Sequence, residues 1–234
     1  MSIKIQDLKK TYGKQIALNN ISFETQPNNI IGFLGPNGAG KSTTMKILAG
    51  IIPANSGNVE IANINIKSNV TKKIIGYLAE DNPLYQDMYV REILTFEAKV
   101  HGISTINQRV EEVIKLTGLE KEHNKKVSQL SKGYKQRVGL AMAIIHNPKV
   151  LILDEPTSGL DPNQIIEIRS LIKLLAKDKT VLFSTHIMQE VEAICDEVVI
   201  INQGNIKDHF ALIDKTNKYP NMSMEDIFVS LTKS

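Results

Sequence analysis

Gly35-Pro36-Asn37-Gly38-Ala39-Gly40-Lys41-Ser42, continued by Thr43, has the glycine spacing and the closing lysine and hydroxyl of a phosphate-binding loop. Each residue type there has a chemical task. Glycines let successive backbone N–H groups converge on an anion. The lysine is a compact cation for the β- and γ-phosphates of a nucleoside triphosphate, and the Ser42 hydroxyl can ligate Mg²⁺. A helix opening at Lys41 adds the positive end of its dipole. A second cluster, Val150-Leu151-Ile152-Leu153-Asp154-Glu155, ends an apolar run on two acids. This places both carboxylates at the carboxyl end of a buried strand, where open α/β sheets bind their ligands. Asp154 suits Mg²⁺, directly or through water. Glu155 suits the orientation and polarisation of an attacking water. Kinases and small GTPases need no second acid here, so the pair favours hydrolysis.

Leu130-Ser131-Lys132-Gly133-Tyr134-Lys135-Gln136-Arg137 opens another helix. Read alone, Ser131 is an N-cap and Gly133 a place where backbone N–H groups can approach an anion. With this segment the chain resembles the ATP-binding-cassette (ABC) ATPases, whose Leu-Ser-Gly-Gly-Gln signature lies between the phosphate loop and the acidic strand. Ser131 and Gly133 match its serine and second glycine, while Lys132 and Tyr134 replace the first glycine and the glutamine. The resemblance implies that Ser131 and Gly133 meet the γ-phosphate bound by another subunit. Ser158-Gly159-Leu160-Asp161 looks like the family's D-loop, which would bring Asp161 to a dimer interface. Leu182-Phe183-Ser184-Thr185-His186 looks like its switch-histidine strand, so that His186 would contact γ-phosphate and help hold Glu155 and the water. Tyr12, followed by Gly13, matches the aromatic that stacks on adenine. A histidine after a strand or a tyrosine in a hairpin is ordinary by itself; the order of the motifs gives both their roles.

One position departs from the pattern. Aligning Ile75-Gly76-Tyr77-Leu78-Ala79-Glu80 with the junction between core and helical block puts Glu80 where the family usually has a glutamine that reaches Mg²⁺. Glutamate keeps an oxygen ligand but adds a charge near phosphates. The same acidic variant is found in an exporter-type branch, and Ile75–Leu94, with Asn82-Pro83-Leu84-Tyr85, resembles the gliding-motility-associated ATP-binding subunits of that branch.

The elements that must position these residues are visible in the hydrophobic pattern. Ile3–Leu8 alternates as a half-buried strand, Ile21-Ser22-Phe23 is a second strand, and Pro27-Asn28-Asn29 is a turn. Ile30–Leu34, Val150–Leu153, Val181–Phe183 and Glu197–Asn202 are apolar enough to be buried on both faces. A helix is expected over Lys41–Ala49, ended by Gly50. Between Leu84 and Asn147 helical spacing takes over, in Val90–Val100, Val110–Leu116 and a third helix from Lys132 to His146, stopped at Asn147-Pro148. From Lys207 the tail is weakly patterned, although Ser223-Met224-Glu225-Asp226 can cap a last short helix. This divides the chain into a first core part (1–83), a helical subdomain carrying the signature (84–147), a second core part (148–206) and a tail (207–234). The fold class is α/β: a P-loop NTPase core of the ABC ATPase kind, with an antiparallel β-edge and an inserted helical subdomain.

Composition sets the outer limits. The chain has 234 residues, 42% hydrophobic and 23% charged, which is ordinary for a globular protein. A net charge of +3 is too mild to call for nucleic acid. The lone Cys195 excludes an internal disulfide framework and a multi-cysteine metal cluster. Apolar stretches such as Val138–Ile145 fall far short of the ~20 residues of a membrane span, and the N-terminus lacks a signal-peptide core. The resemblance therefore implies an ATP- and Mg²⁺-dependent hydrolase that pairs head to tail, with itself or a related cassette. It would drive transmembrane permease subunits on separate chains, lying in the cytoplasm and held peripherally on the inner face of the cell membrane through them, with export as the expected direction. A soluble ABC ATPase acting outside transport would carry the same motifs. The long coiled coil of repair types and the paired cassettes of translation types are not in this sequence.

Overall fold

In the computed structural model, which describes residues 2–233, the alternating N-terminal segment runs on as β1 (Ile3–Tyr12) and returns as β2 (Gln15–Glu24). The apolar β3 (Ile30–Leu34), every residue of it buried, leads through the phosphate-loop segment into α1 (Lys41–Leu48). The chain then forms β4 (Ser56–Ile61), β5 (Ile64–Asn65), the single turn α2 (Thr71–Ile74) and β6 (Ile75–Leu78). Three helices follow, α3 (Val90–Val100), α4 (Ile106–Leu116) and α5 (Lys132–Ile144). The second half comprises β7 (Val150–Asp154), α6 (Pro162–Leu175), β8 (Thr180–Thr185), α7 (Met188–Ile194) and β9 (Glu197–Asn202). It ends with β10 (Asn205–Ala211), α8 (Lys215–Lys218) and α9 (Met224–Thr232).

These strands make two sheets. One has the order β10-β9-β3-β8-β7-β6 and is parallel except for β10; the other is antiparallel, β2-β1-β4-β5. Their facing sides bury Ile5, Leu8, Leu18 and Phe23 against Ile31, Phe33, Ile152 and Leu182, with Met45 and Leu48 of α1 in the same core. The Phe23 and Phe33 rings lie 5.6 Å apart. On its other side the parallel sheet packs Leu151, Leu153, Val181 and Phe183 against the apolar faces of α3 to α6. Helices α7 and α9 cover β9 and β10 through Val191, Met224 and Ile227.

Local chemistry explains most boundaries. Gly40 precedes α1 with φ 110, and a Cβ there would sit 2.7 Å from the Ala17 carbonyl oxygen, so both conformation and space require glycine. Ser131 caps α5, and Asp161, followed by Pro162, caps α6 by accepting from Gln164 N at 3.0 Å. Helix α5 stops two residues before the expected His146. Its last carbonyls, those of Ile144 and Ile145, accept from the Arg109 guanidinium at 2.7 and 2.8 Å. Ser223 and Asp226 form the capping box expected for α9.

Other elements had no clear signal. β10 crosses the boundary expected at 206/207 and pairs with β9 through a register shift between Ile206 and Asp208. That shift and the burial of Phe210 alone in the strand erase the period-two pattern. β6 is short and interrupted by Gly76, and α7 buries an acid, Glu190, beside Val191 and Ile194.

Gly76 faces α5, where an added Cβ would lie 2.1 Å from the Ala143 carbonyl oxygen, a backbone atom that cannot swing away. Gly76→Ala should therefore destabilise the fold by about 1–3 kcal/mol through overpacking. Chemical denaturation of the two proteins measures this; equal stability would mean that α5 can move off the sheet at no cost.

Candidate functional site

Strands β3, β8 and β7 are neighbours and parallel, so the segments that follow them leave the sheet side by side at its carboxyl edge. This topology brings Lys41, Asp154, Glu155 and His186 together although they are far apart in sequence. The Lys41 ammonium, only 5% exposed, donates to the carbonyls of Gly35 (2.8 Å) and Pro36 (3.3 Å) and lies 3.3 Å from Glu155 Oε1. The Glu155 carboxylate in turn meets His186 Nδ1 at 3.0 and 3.2 Å. Glu155 has φ 47, a left-handed conformation that costs a non-glycine residue roughly 1–2 kcal/mol. Its backbone N–H is pinned by donation to Ser184 Oγ at 2.9 Å.

Asp154 Oδ1 accepts from Ser184 Oγ at 2.5 Å and from Ser42 Oγ at 3.2 Å. Its Oδ2 is buried and has no hydrogen-bond partner. A buried, unpaired carboxylate oxygen is costly, and a hard cation shared with the Ser42 hydroxyl would remove that cost. The surroundings agree in sign. The Tyr77 hydroxyl, buried nearby, is pushed well above its ordinary pKa first by burial and then by the charges of Asp154, Asp81 and Glu80. No cage of three or more His, Cys, Asp or Glu occurs among the described residues. The pairing of Asp154 with the Ser42 hydroxyl fits Mg²⁺, which takes one or two carboxylates and completes its shell with water and substrate phosphates.

A cleft of about 490 Å³ opens above these groups, lined by Tyr12, Gln15, Ala17, Asn37, Gly38, Gly40, Lys41, Ser42, Thr43, Glu80 and Glu155. Its size suits a small-molecule ligand. Gly35, Pro36 and Ala39 form the floor of the loop, Gly35 and Ala39 buried and Pro36 half-buried. Tyr12 stands half-exposed at the rim with the Lys10 ammonium 5.2 Å from its ring centre. Glu80, in the turn after β6, borders both this cleft and a smaller hollow shared by Lys46, Asp81, Asp154 and Ser158.

Ser131, Gly133 and Asp161 do not join this group. They line a separate recess of about 280 Å³ with Tyr134, Arg137 and Gln164. Ser131 Oγ accepts from Tyr134 N at 3.5 Å, a long capping bond. Arg137 ties the recess together, donating to the Thr117 carbonyl at 2.8 Å and to Glu167 at 2.7 Å. One chain thus presents two surfaces, a phosphate loop with its acids and a capped-helix recess, with no residue in common.

Sequence reading passed over Ser184, which holds both Asp154 and the backbone of Glu155. It is one of three hydroxyls in β8, with Thr180 and Thr185, and only the strand register that pairs it with Asp154 singles it out. Asp81 was overshadowed by Glu80 beside it.

Residues 18–158 match the family described as ABC transporter. The chain is 41% identical over 231 residues to the bacitracin transport ATP-binding protein BcrA of Bacillus licheniformis, covering 96% of this chain and 75% of that protein. It is 38% identical over 205 residues to the lantibiotic transport ATP-binding protein SrtF of Streptococcus pyogenes, covering 87% and 88%. Among solved structures, an ATP-binding subunit of an ABC transporter superposes over 100% of both chains with a TM-score of 0.88 at 28% identity. The ATP-binding cassette MJ0796, a dimer in a post-hydrolysis state bound to ADP and Pi, superposes with a TM-score of 0.82 at 26% identity, covering 90% and 98%.

Removal of the ammonium by Lys41→Ala is expected to weaken ATP binding by about 1.5–3 kcal/mol, the worth of a hydrogen bond to a charged group. Calorimetric titration with ATP tests this, and unchanged affinity would place the phosphates elsewhere.

Proposed function

The chain belongs to the ABC transporter family as an ATP-binding, ATP-hydrolysing cassette, and from that premise we propose how its side chains divide the work. The observation that carries the reading is the convergence of Lys41, Asp154, Glu155 and His186 at one edge of the sheet. Backbone N–H groups of Gly38 to Thr43 cradle the phosphates, and Tyr12 stacks on adenine. Ser42 and Asp154 would hold Mg²⁺, with Glu80 as a further oxygen ligand. When bound, that cation neutralises charge on the β- and γ-phosphate oxygens.

Lys41 can exchange its contact with Glu155 for a γ-phosphate oxygen. This frees the carboxylate to accept a proton from the attacking water. His186 keeps Glu155 oriented through Nδ1, and its ring would contact the γ-phosphate. Catalysis of this kind is mostly positioning and electrostatics.

Ser131, Gly133 and Asp161 lie on a surface apart from the phosphate loop, so they can complete only another chain's site. A head-to-tail dimer, of two copies or of this chain with a related cassette, would place each signature on the γ-phosphate of its partner. The dimeric state of the cassette MJ0796 supports pairing of two cassettes. Hydrolysis then removes the phosphate that bridges the two halves, and the dimer loosens.

No helix among the described residues is long and apolar enough to cross a membrane. The work is delivered to transmembrane permease subunits on separate chains, with this chain held at the inner face of the cell membrane through them. Tyr89 at the start of α3, and Phe96 and Val100 within it, are 48%, 46% and 64% exposed, which supports a protein partner there. The bacitracin and lantibiotic transport relatives support an antibiotic-type cargo. Glu80 supports the exporter-type branch; the likeness to gliding-motility subunits rests on its segment alone.

Glu155→Gln should slow ATP hydrolysis by ~10²–10⁴-fold, the usual worth of a general base, while ATP-bound dimers still form. Phosphate release, with light scattering for the dimer, measures both, and near-normal turnover would remove Glu155 from that role. Ser131→Ala should impair ATP-driven dimerisation more than ATP binding by the single chain. ATP dimers of undiminished stability in scattering would refute the contact across the dimer.

A further inference from the structure

Glu190 of α7 carries a carboxylate that is only 1% exposed. Burying an ionised carboxylate is costly unless its oxygens find donors or a close cation. The cation facing it, Arg169 of α6, stands off at 3.6 Å, and its own Nε is buried without a partner. The short contacts are to two hydroxyls. Thr157 Oγ1 donates to Oε1 and Thr185 Oγ1 donates to Oε2, each at 2.5 Å. Thr185 Oγ1 also accepts from the backbone N–H of Ile187 at 3.0 Å, so its single proton is committed to Glu190.

The positions of these threonines give the arrangement its meaning. Thr157 lies two residues after Glu155, and Thr185 immediately precedes His186. One buried carboxylate therefore ties together the two segments whose acid and imidazole meet at 3.0 Å. It also bears on backbone strain. Glu155 is held in a left-handed conformation from its own N–H by Ser184, and the chain just beyond it is fixed by Thr157 to Glu190. Strain of this sort persists only where the surroundings over-determine it. Docking of α7 does not need the charge, because Val191 and Ile194 already bury its apolar side and an apolar residue in place of Glu190 would pack at lower cost.

We propose that Glu190 is a positioning residue for ATP hydrolysis: its carboxylate, accepting from Thr157 and Thr185, sets the separation and orientation of Glu155 and His186. This rests on the assignment of Glu155 to water activation. A carboxylate suits the task because it accepts on both oxygens. An amide accepts on one alone, so either Thr157 or Thr185 loses its acceptor.

The test uses the full chain and compares Glu190→Gln, Thr157→Val and Thr185→Val with the corresponding serine variants, and with Glu155→Gln as reference. Misplacement of a reacting group by a fraction of an ångström to an ångström predicts a fall in kcat of about 10–100-fold in the Gln and Val variants. ATP affinity by calorimetry, and KM, should stay within about twofold, which separates loss of positioning from loss of binding. Serine keeps the hydroxyl and should restore most of the rate, and Glu190→Gln added to Glu155→Gln should cost nothing further. If Glu155→Gln abolishes turnover while the Glu190 and Val variants keep it, the clamp is wrong and the assignment of Glu155 stands. If Glu155→Gln leaves turnover unchanged, both are overturned. A parallel loss of kcat and ATP affinity, or a loss that serine does not restore, assigns Glu190 a general structural role and overturns the proposal. Should Glu190→Gln fail to fold, the threonine variants decide by the same criteria.

Discussion

A lysine ammonium and a glutamate carboxylate, 5% and 7% exposed, face each other at 3.3 Å across the carboxyl edge of the parallel sheet. Charges this far from water are tolerated only if each is surrounded by partners, and the partners must come from elsewhere in the chain. The Gly35 and Pro36 carbonyls serve the lysine, while Ser184 fixes the glutamate's backbone and His186 meets its carboxylate. The sheet order β3-β8-β7 makes this arrangement possible, because it places three strand ends within reach of one another. The rest of the protein can be understood as support for that edge: the antiparallel sheet packs over α1 from one side and the helical block from the other.

The same edge is electrostatically divided. Lys41 and the start of α1 present positive charge to the cleft, while Asp154, Glu80 and Asp81 concentrate negative charge beside it. A magnesium nucleotide has the complementary division, anionic phosphates bridged by a cation. The unpartnered Asp154 Oδ2 marks the boundary between the two regions. Glu80 and Asp81 add to the negative region beside Asp154, and the Tyr77 hydroxyl there is raised above its ordinary pKa first by burial and then by these three charges.

The recess around Ser131, Gly133 and Asp161 shares no residue with the phosphate cleft, so one chain carries two separate surfaces. Helix α5, whose capped end borders the recess, passes close to β6 at Gly76. The proposed use of the recess by a second cassette rests on this separation of the two surfaces.

The residues proposed to touch phosphate were legible in the sequence because their chemistry is local. A glycine-rich turn before a helix, two acids after an apolar run and a serine before a helix each need only their neighbours to be recognised. The buried strands were legible for the same reason, since burial on both faces leaves a continuous apolar run in β3 and β7. β10, with its register shift, and α7, with an acid in its buried face, lacked any such local signature. Only the tertiary structure decided that Ser184 would hold Asp154, and that Glu190 would meet Thr157 and Thr185. Those contacts join residues that no periodicity relates, and their partners are chosen by strand order and register. The sequence by itself determined which groups are available for the chemistry; the fold decided what holds them in place.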